Sequence, residues 1–274
     1  MWLNAKLLGL LALGLLGGPI AAEAGTLYGI DDATRTLFSI DTNTLVETPI
    51  GSTGVSSGSF GDLAYDAASG TMYWAAGRDN DNLYRLNLST GAATLIGNYG
   101  INDLFALAWT GTALYGQSPN GVTNGTVYTI NTNTAAATFI GTNTVYPGGL
   151  AWNSRTSQLV LLQAGGVSSS FYKINLTNGS ATILNGGAGF VDDNDIAYDS
   201  VLNTYWAADY RGRLFRYDAT TFARTTILTG IGSVEALEFV AVPEPSSLVL
   251  SGICLLGTIV SACRRRMSIA CAVG

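Results

Sequence analysis

From about residue 25 to residue 241 the chain runs in short apolar segments broken by clusters of Gly, Asn, Asp, Ser and Thr. Segments such as "LYRLN" and "ATLIG" are too short for helices and too regularly punctuated for a helical face. Strands joined by tight turns are the expected outcome. The pattern also repeats. "FGDLAYDAASGTMYWAA", "LFALAWTGTALYGQ", "PGGLAWNSRTSQLVLL" and "DNDIAYDSVLNTYWAAD" share a Leu/Ile-Ala-aromatic core beginning at Leu63, Leu107, Leu150 and Ile196, spaced by 44, 43 and 46 residues. A shortened copy, "VEALEFV", places Leu237 41 residues further on.

A second series is interleaved with the first. "TLFSIDTNTLVETPIG", "NLYRLNLSTGAATLIG", "TVYTINTNTAAATFIG", "SFYKINLTNGSATILN" and "RLFRYDATTFARTTIL" align on Phe38, Tyr84, Tyr128, Tyr172 and Phe215. Asp41, Asn87, Asn131, Asn175 and Asp218 recur at one position of this series, where an Asx side chain can bond the backbone ahead of it and open a turn. One unit is thus four short strands in about 44 residues: Leu-Ala-aromatic innermost, Met72-Tyr73-Trp74 and its equivalents second, "LYRLN" third and "ATLIG" fourth. Four strands per repeat of that length predict an all-β, five-bladed β-propeller. The count follows from the ends. "TLYGID" opens a unit that lacks an innermost strand, and "VEALEFV" is an innermost strand with nothing after it. Joined, they close the ring and leave no open sheet edge.

In such a ring the repeated aromatics Tyr65, Trp109, Trp152, Tyr198 and Phe239, with Trp74 and Trp206, are expected to pack blade on blade. Residues that break the repeat carry more information about ligands. Asp62 and Asp195 directly precede the Leu/Ile-Ala pairs, where the other units have Ala106, Gly149 and Ala236. Glu235 and Asn194 stand one residue earlier, and Asp192 and Asp193 adjoin them. Loops entering innermost strands lie at one mouth of a propeller's channel, so these residues form an acidic arc with three readings. They are solvated carboxylates capping strand ends, hard oxygen ligands for Ca²⁺, or paired acids for general acid–base chemistry on a sugar. "GRDNDN" (77–82) begins like a calcium loop but lacks the downstream bidentate glutamate and reads as a polar turn.

Composition narrows the classes. Charged residues make up 12% of the chain and the formal net charge is −6, so no basic surface for nucleic acid is expected. There is no histidine, and all three cysteines, Cys254, Cys263 and Cys271, lie near the C-terminus. The repeat body therefore has no nitrogen or sulfur set for zinc or copper, and no histidine base for a serine nucleophile. Phosphate-binding loops, dinucleotide fingerprints and nucleophile elbows are absent as well.

The two ends carry sorting information. Lys6, the apolar run Leu7 to Leu16, and Ala22-Glu23-Ala24 have the order of a signal peptide with an A-x-A cleavage site, so residues 1–24 are expected to form a signal helix that is removed on export. At the other end, Val242-Pro243-Glu244-Pro245 precedes an apolar stretch from Leu248 to Cys263 and then Arg264, Arg265 and Arg266. The stretch is long enough for a short transmembrane helix, and the arginines place its end, with residues 267–274, in the cytoplasm. This tripartite order resembles the PEP-CTERM sorting signal of Gram-negative bacteria, although "MSIACAVG" continues past the arginines where such proteins usually stop. The resemblance implies membrane anchoring, recognition and processing by an exosortase, and delivery from the inner membrane to the cell surface or beyond. It also implies an association with exopolysaccharide or biofilm, the partner being a glycan or another surface protein. The expectation is an exported, non-catalytic binding or structural protein of the surface or extracellular matrix. The alternative is a carboxylate-dependent hydrolase, glycosidase or lactonase-like, at the channel mouth.

Overall fold

A computed structural model describes residues 25–121, 123–164, 170–185 and 193–242. The expected signal helix, the transmembrane segment and Pro243 onward lie outside these residues. Among the described residues, twenty strands form five four-stranded antiparallel sheets. β1 (Gly25–Asp31), β2 (Thr36–Asp41) and β3 (Glu47–Ser52) belong to the first blade. The second holds β4 (Asp62–Asp66), β5 (Thr71–Ala75), β6 (Asn82–Leu86) and β7 (Ala93–Asn98). The third holds β8 (Ala106–Trp109), β9 (Leu114–Asn120), β10 (Asn124–Ile130) and β11 (Ala137–Asn143). β12 (Pro147–Asn153), β13 (Gln158–Gln163), β14 (Phe171–Ile174) and β15 (Ala181–Asn185) make the fourth. The fifth is β16 (Asp193–Asp199), β17 (Thr204–Asp209), β18 (Arg213–Asp218) and β19 (Arg224–Thr229).

The remaining strand, β20 (Val234–Ala241), completes the first blade in the order β20-β1-β2-β3. Leu27 lies opposite Phe239 and Gly29 opposite Leu237, so a strand near the end of the body pairs with the strand that begins it. The predicted five-bladed closure is the observed one. The innermost strands β20, β4, β8, β12 and β16 are successive neighbours around the axis, and β16 meets β20 again.

Burial explains why a ring forms. A four-stranded sheet of this kind is apolar on both faces and cannot cover both alone. The buried side chains fall into five clusters, one at each blade–blade contact. Leu27, Phe239, Trp206 and Leu214 join the first and fifth blades, for example, and Tyr73, Leu83, Leu107 and Leu114 join the second and third. Trp74 and Trp206 are fully buried as expected, Trp74 against Tyr84 at 5.3 Å between ring centroids, and the Trp206 Nε1 donates to Asp199 Oδ2 at 3.1 Å.

The repeated Asx residues also do what their chemistry suggests. The Oδ1 atoms of Asp41, Asn87, Asn131, Asn175 and Asp218 each accept backbone N–H groups two and three residues ahead, at 2.7–3.3 Å. Four residues after each Asx the backbone turns left-handed, at Leu45, Gly91, Ala135, Gly179 and Phe222. Gly91 is required there twice over, because a Cβ would also lie 2.2 Å from the Gly51 carbonyl. Where third and fourth strands pair, every blade has a register shift beside the aligned aromatic: Phe38, Tyr84, Tyr128, Tyr172 or Phe215. Such bulges twist the outer strand and blunt its exposed edge.

Candidate functional site

The innermost strands pair with their neighbours on one side only. Antiparallel pairing alternates residues that bond the partner strand with residues whose N–H and C=O turn away from it. Here the second kind face the axis and form two rings. Leu63, Leu107, Leu150, Ile196 and Leu237 make the upper ring, where the inner strands begin. Tyr65, Trp109, Trp152, Tyr198 and Phe239 make the lower ring, two residues further along.

Two side chains serve the whole upper ring. Asp62 Oδ1 accepts from the Leu63 N–H at 2.6 Å, and Asp62 Oδ2 from Leu107 at 2.6 Å and Leu150 at 3.1 Å, so one carboxyl ties the second blade to the third and fourth. Asp195 Oδ1 accepts from Ile196 at 2.7 Å and Asp195 Oδ2 from Leu237 at 2.6 Å, tying the fifth blade to the first. Five inward donors thus meet four carboxyl oxygens. The two carboxyls adjoin each other, so the charge on one opposes ionisation of the other. Burial raises both well above the usual carboxylate range, and for Asp62 the charge of Asp195 adds to it. The small residues of the other repeats leave the space. A Cβ on Gly149 would sit 1.8 Å from Asp195 Oδ1.

This corrects the expectation of an acidic arc open to solvent. Asp62 and Asp195 do meet, but they are 0% and 1% exposed and their oxygens are held by backbone donors. Glu235 turns elsewhere and is bonded by Arg35, which also bonds Asp32 at 2.9 Å. Burial pushes the Glu235 carboxyl up to about 9 while Arg35 pulls it down; the direct guanidinium contact favours the charged pair. Asp193 and Asn194 open β16, but their side chains, like the whole of Asp192, lie outside the described residues. Among the described residues no three acidic side chains are grouped so as to hold a metal ion, so Ca²⁺ gains no ligand set there. In "GRDNDN" the Asn80 amide donates to Ser57 O at 3.1 Å and to the Tyr84 hydroxyl at 3.2 Å, tying the turn to its own blade.

The lower ring differs. Its one carboxyl is Glu238, in the position occupied by Ala64, Ala108, Ala151 and Ala197 in the other blades. Glu238 Oε1 accepts from the Phe239 N–H at 3.0 Å, and the carboxyl also accepts from the Tyr65 N–H. Glu238 is half-buried, and desolvation of its carboxyl, with the charge of Asp195 nearby, pushes it up to about 8, which favours the protonated form that can donate a hydrogen bond. Below it opens a cavity of about 440 Å³, lined by Tyr65, Trp109, Trp152, Tyr198, Phe239 and Glu238 among others. Tyr65, Trp109 and Trp152 are only partly buried, so these repeat aromatics both pack between blades and face open space. Asp66 borders the same cavity, but its oxygens accept from the Ala68 N–H at 3.0 Å and the Ser69 hydroxyl at 2.6 Å. Reading the sequence for acids before the Leu-Ala pair passed over Glu238. The signal was the Leu-Glu-Phe that replaces Leu-Ala-aromatic.

Fold and axis together define a five-bladed β-propeller whose channel is closed above by a shared acid pair and open below over an aromatic pocket. The family model of the PEP-CTERM protein-sorting motif matches residues 241–266, which include Val242 to Pro245 and Arg264 to Arg266. That motif marks an exported, membrane-anchored chain recognised by an exosortase and sorted to the cell surface. No curated protein matches the chain. Among solved structures, it is similar to a chain of a nidogen/laminin complex, at 13% identity and TM-score 0.51 over 77% of this chain and 83% of that one. It is also similar to a protein of unknown function from Bacteroides thetaiotaomicron, at 18% identity and TM-score 0.54 over 75% and 56%. Likenesses at such identities concern the fold alone.

Proposed function

We propose that the propeller is a non-catalytic binding module of the cell surface or extracellular matrix, associated with exopolysaccharide. In this reading the body lies outside the cytoplasm and the C-terminal segment anchors it until an exosortase processes the tail. One observation carries the non-catalytic part. Asp62 and Asp195, the best acid pair in the sequence, have their oxygens committed to the N–H groups of five blades. A hydrolase needs one acid free to transfer a proton and a second free to attack or activate water. In the lower cavity Glu238 has no such partner, because Asp66 is held by its own turn.

The test is to assay the purified chain against chromogenic glycosides and lactones, and to measure its retention on exopolysaccharide from the producing cells. Retention without turnover is expected. Turnover that disappears in Asp195→Asn with the fold intact would replace this reading with the hydrolase one. Mass spectrometry of the surface-released protein addresses processing, and an intact C-terminus would make the tail a permanent anchor.

A further inference from the structure

We propose that the lower mouth of the channel is a binding site for one neutral sugar ring, held by Glu238, by the axis-facing N–H groups of Trp109, Trp152 and Tyr198, and by the surrounding aromatic faces. This rests on the binding role proposed above and gives it a place and a ligand class.

Four features of the mouth lead there. The cavity, about 440 Å³, lies within the roughly 300–1,000 Å³ range of small-ligand pockets. Its axis carries backbone donors and acceptors together: strand alternation turns the N–H and C=O groups of Trp109, Trp152 and Tyr198 to the same axis as those of Tyr65 and Phe239, whose N–H groups donate to Glu238. An occupant that bonds these groups must therefore offer both acceptor oxygens and hydroxyl donors. The walls are aromatic and come from all five blades, with Trp109 backed by Tyr73 at 6.2 Å and Tyr198 by Tyr205 at 5.3 Å. Rings fixed in this way present flat apolar surface to an occupant that is itself partly apolar. Finally, no Lys or Arg lines the cavity, and Asp195 lies close enough to act on Glu238, so an anion is disfavoured. A sugar ring combines acceptor oxygens, apolar C–H faces and no charge.

The charge state of Glu238 separates a neutral ligand from a cationic one. The titratable and charged groups around it are Asp195 and Tyr198 on β16, Tyr65 and Asp66 on β4, Tyr28 opposite it on β1, and Arg155, which bonds the Ser200 carbonyl at the cavity's edge and acts on Tyr198. A protonated Glu238 donates to a sugar hydroxyl, whereas an ionised one attracts an organic cation into an aromatic cage. Sugar binding therefore weakens as pH rises through about 8, and cation binding strengthens.

The experiment uses the full chain in a polyoxyethylene detergent. Methyl glucoside, methyl galactoside, methyl mannoside and N-acetylglucosamine are the probes and choline the counter-probe, followed by calorimetry and tryptophan fluorescence. At least one sugar is expected to bind and to perturb tryptophan emission, with affinity falling about tenfold from pH 7 to pH 9. Glu238→Ala should weaken it about tenfold. Glu238→Gln, which keeps a donor and an acceptor, should retain binding and lose the pH dependence. The proposal is overturned if no probe sugar binds at millimolar concentration, if Glu238→Ala binds as well as the parent, or if choline alone binds and does so better at high pH. Failure here is separable from failure of the binding role. Exopolysaccharide retained equally by parent and Glu238→Ala chains would remove the pocket and keep the role, whereas no retention by the parent removes the role itself.

Discussion

The upper and lower rings are built from the same five strands, two residues apart, with the same axis-facing N–H groups. In the upper ring Asp62 and Asp195 take the N–H groups of all five blades and shut out solvent. In the lower ring a single carboxyl, Glu238, takes two and leaves an aromatic-lined opening. The difference shows what an axial carboxylate is for in this molecule. Where acceptors match donors, the acid is a structural tie between blades, and where they do not, the unmatched donors and the space beside them are open to a ligand. Acidity alone does not distinguish these cases. The count of donors does.

Breaking the upper ring should have the largest effect. Asp62→Ala strands three buried N–H donors on three blades, and at about 1–3 kcal/mol for each the loss is on the order of 4 kcal/mol or more. Asp62→Asn keeps one carbonyl acceptor and should cost roughly 1–2 kcal/mol. Denaturant unfolding of the two variants measures the gap, and equal, small losses would show that the tie between blades is unimportant. Next in size is Gly149→Ala, whose new methyl collides with Asp195 Oδ1 and lies 2.6 Å from the Ile196 nitrogen, for a cost of about 2 kcal/mol. Ala106→Gly in the same layer is the control, at about 1 kcal/mol or less.

The most informative effect is the pH dependence of stability, small over any one pH unit for any one group. Asp62, Asp195 and Glu238 have pKa values raised by folding, so the native state holds more protons than the unfolded chain above pH ~4. Their stabilising contribution is complete below the unfolded values and is lost as pH climbs through the folded ones. For Glu238 the window runs from 4.5 to about 8, with a slope of up to about 1.4 kcal/mol per pH unit for each such group. Asp41 and Asp218, held low by their turns, act in the opposite sense only at lower pH. The melting temperature should therefore fall between pH 5 and pH 9. Glu238→Gln should remove the lower ring's share of that slope and leave the upper ring's, and an unchanged slope in this variant would place Glu238 outside the titration.

Much of this was readable before any coordinates. The 41–46-residue spacing of the Leu/Ile-Ala-aromatic cores, the interleaved Asx series and the incomplete units at the two ends led to five blades and to β20 pairing with β1. Asp62 and Asp195 stood out because they break the repeat, and they do meet on the axis. They cap inner strands, as one of the three readings has it, but buried rather than solvated, because a sequence shows which residues are acidic and not which donors surround them. Glu238 escaped notice for a related reason. It sits inside a strand, among residues that otherwise pack, and only the convergence of five strands turns that position toward a channel.

The local chain determined the strands, the Asx turns, the blade count and the sorting motif at residues 241–266. These depend on neighbours within a few residues, or on a repeat that can be counted. The tertiary structure alone decided that Asp62 reaches Leu150, 88 residues away, and that Asp195 reaches Leu237. It also decided that Glu238 faces a cavity while Glu235 faces Arg35. Hydrogen bonds across an axis join residues remote in sequence, and the balance of donors to acceptors there exists only once the ring has closed.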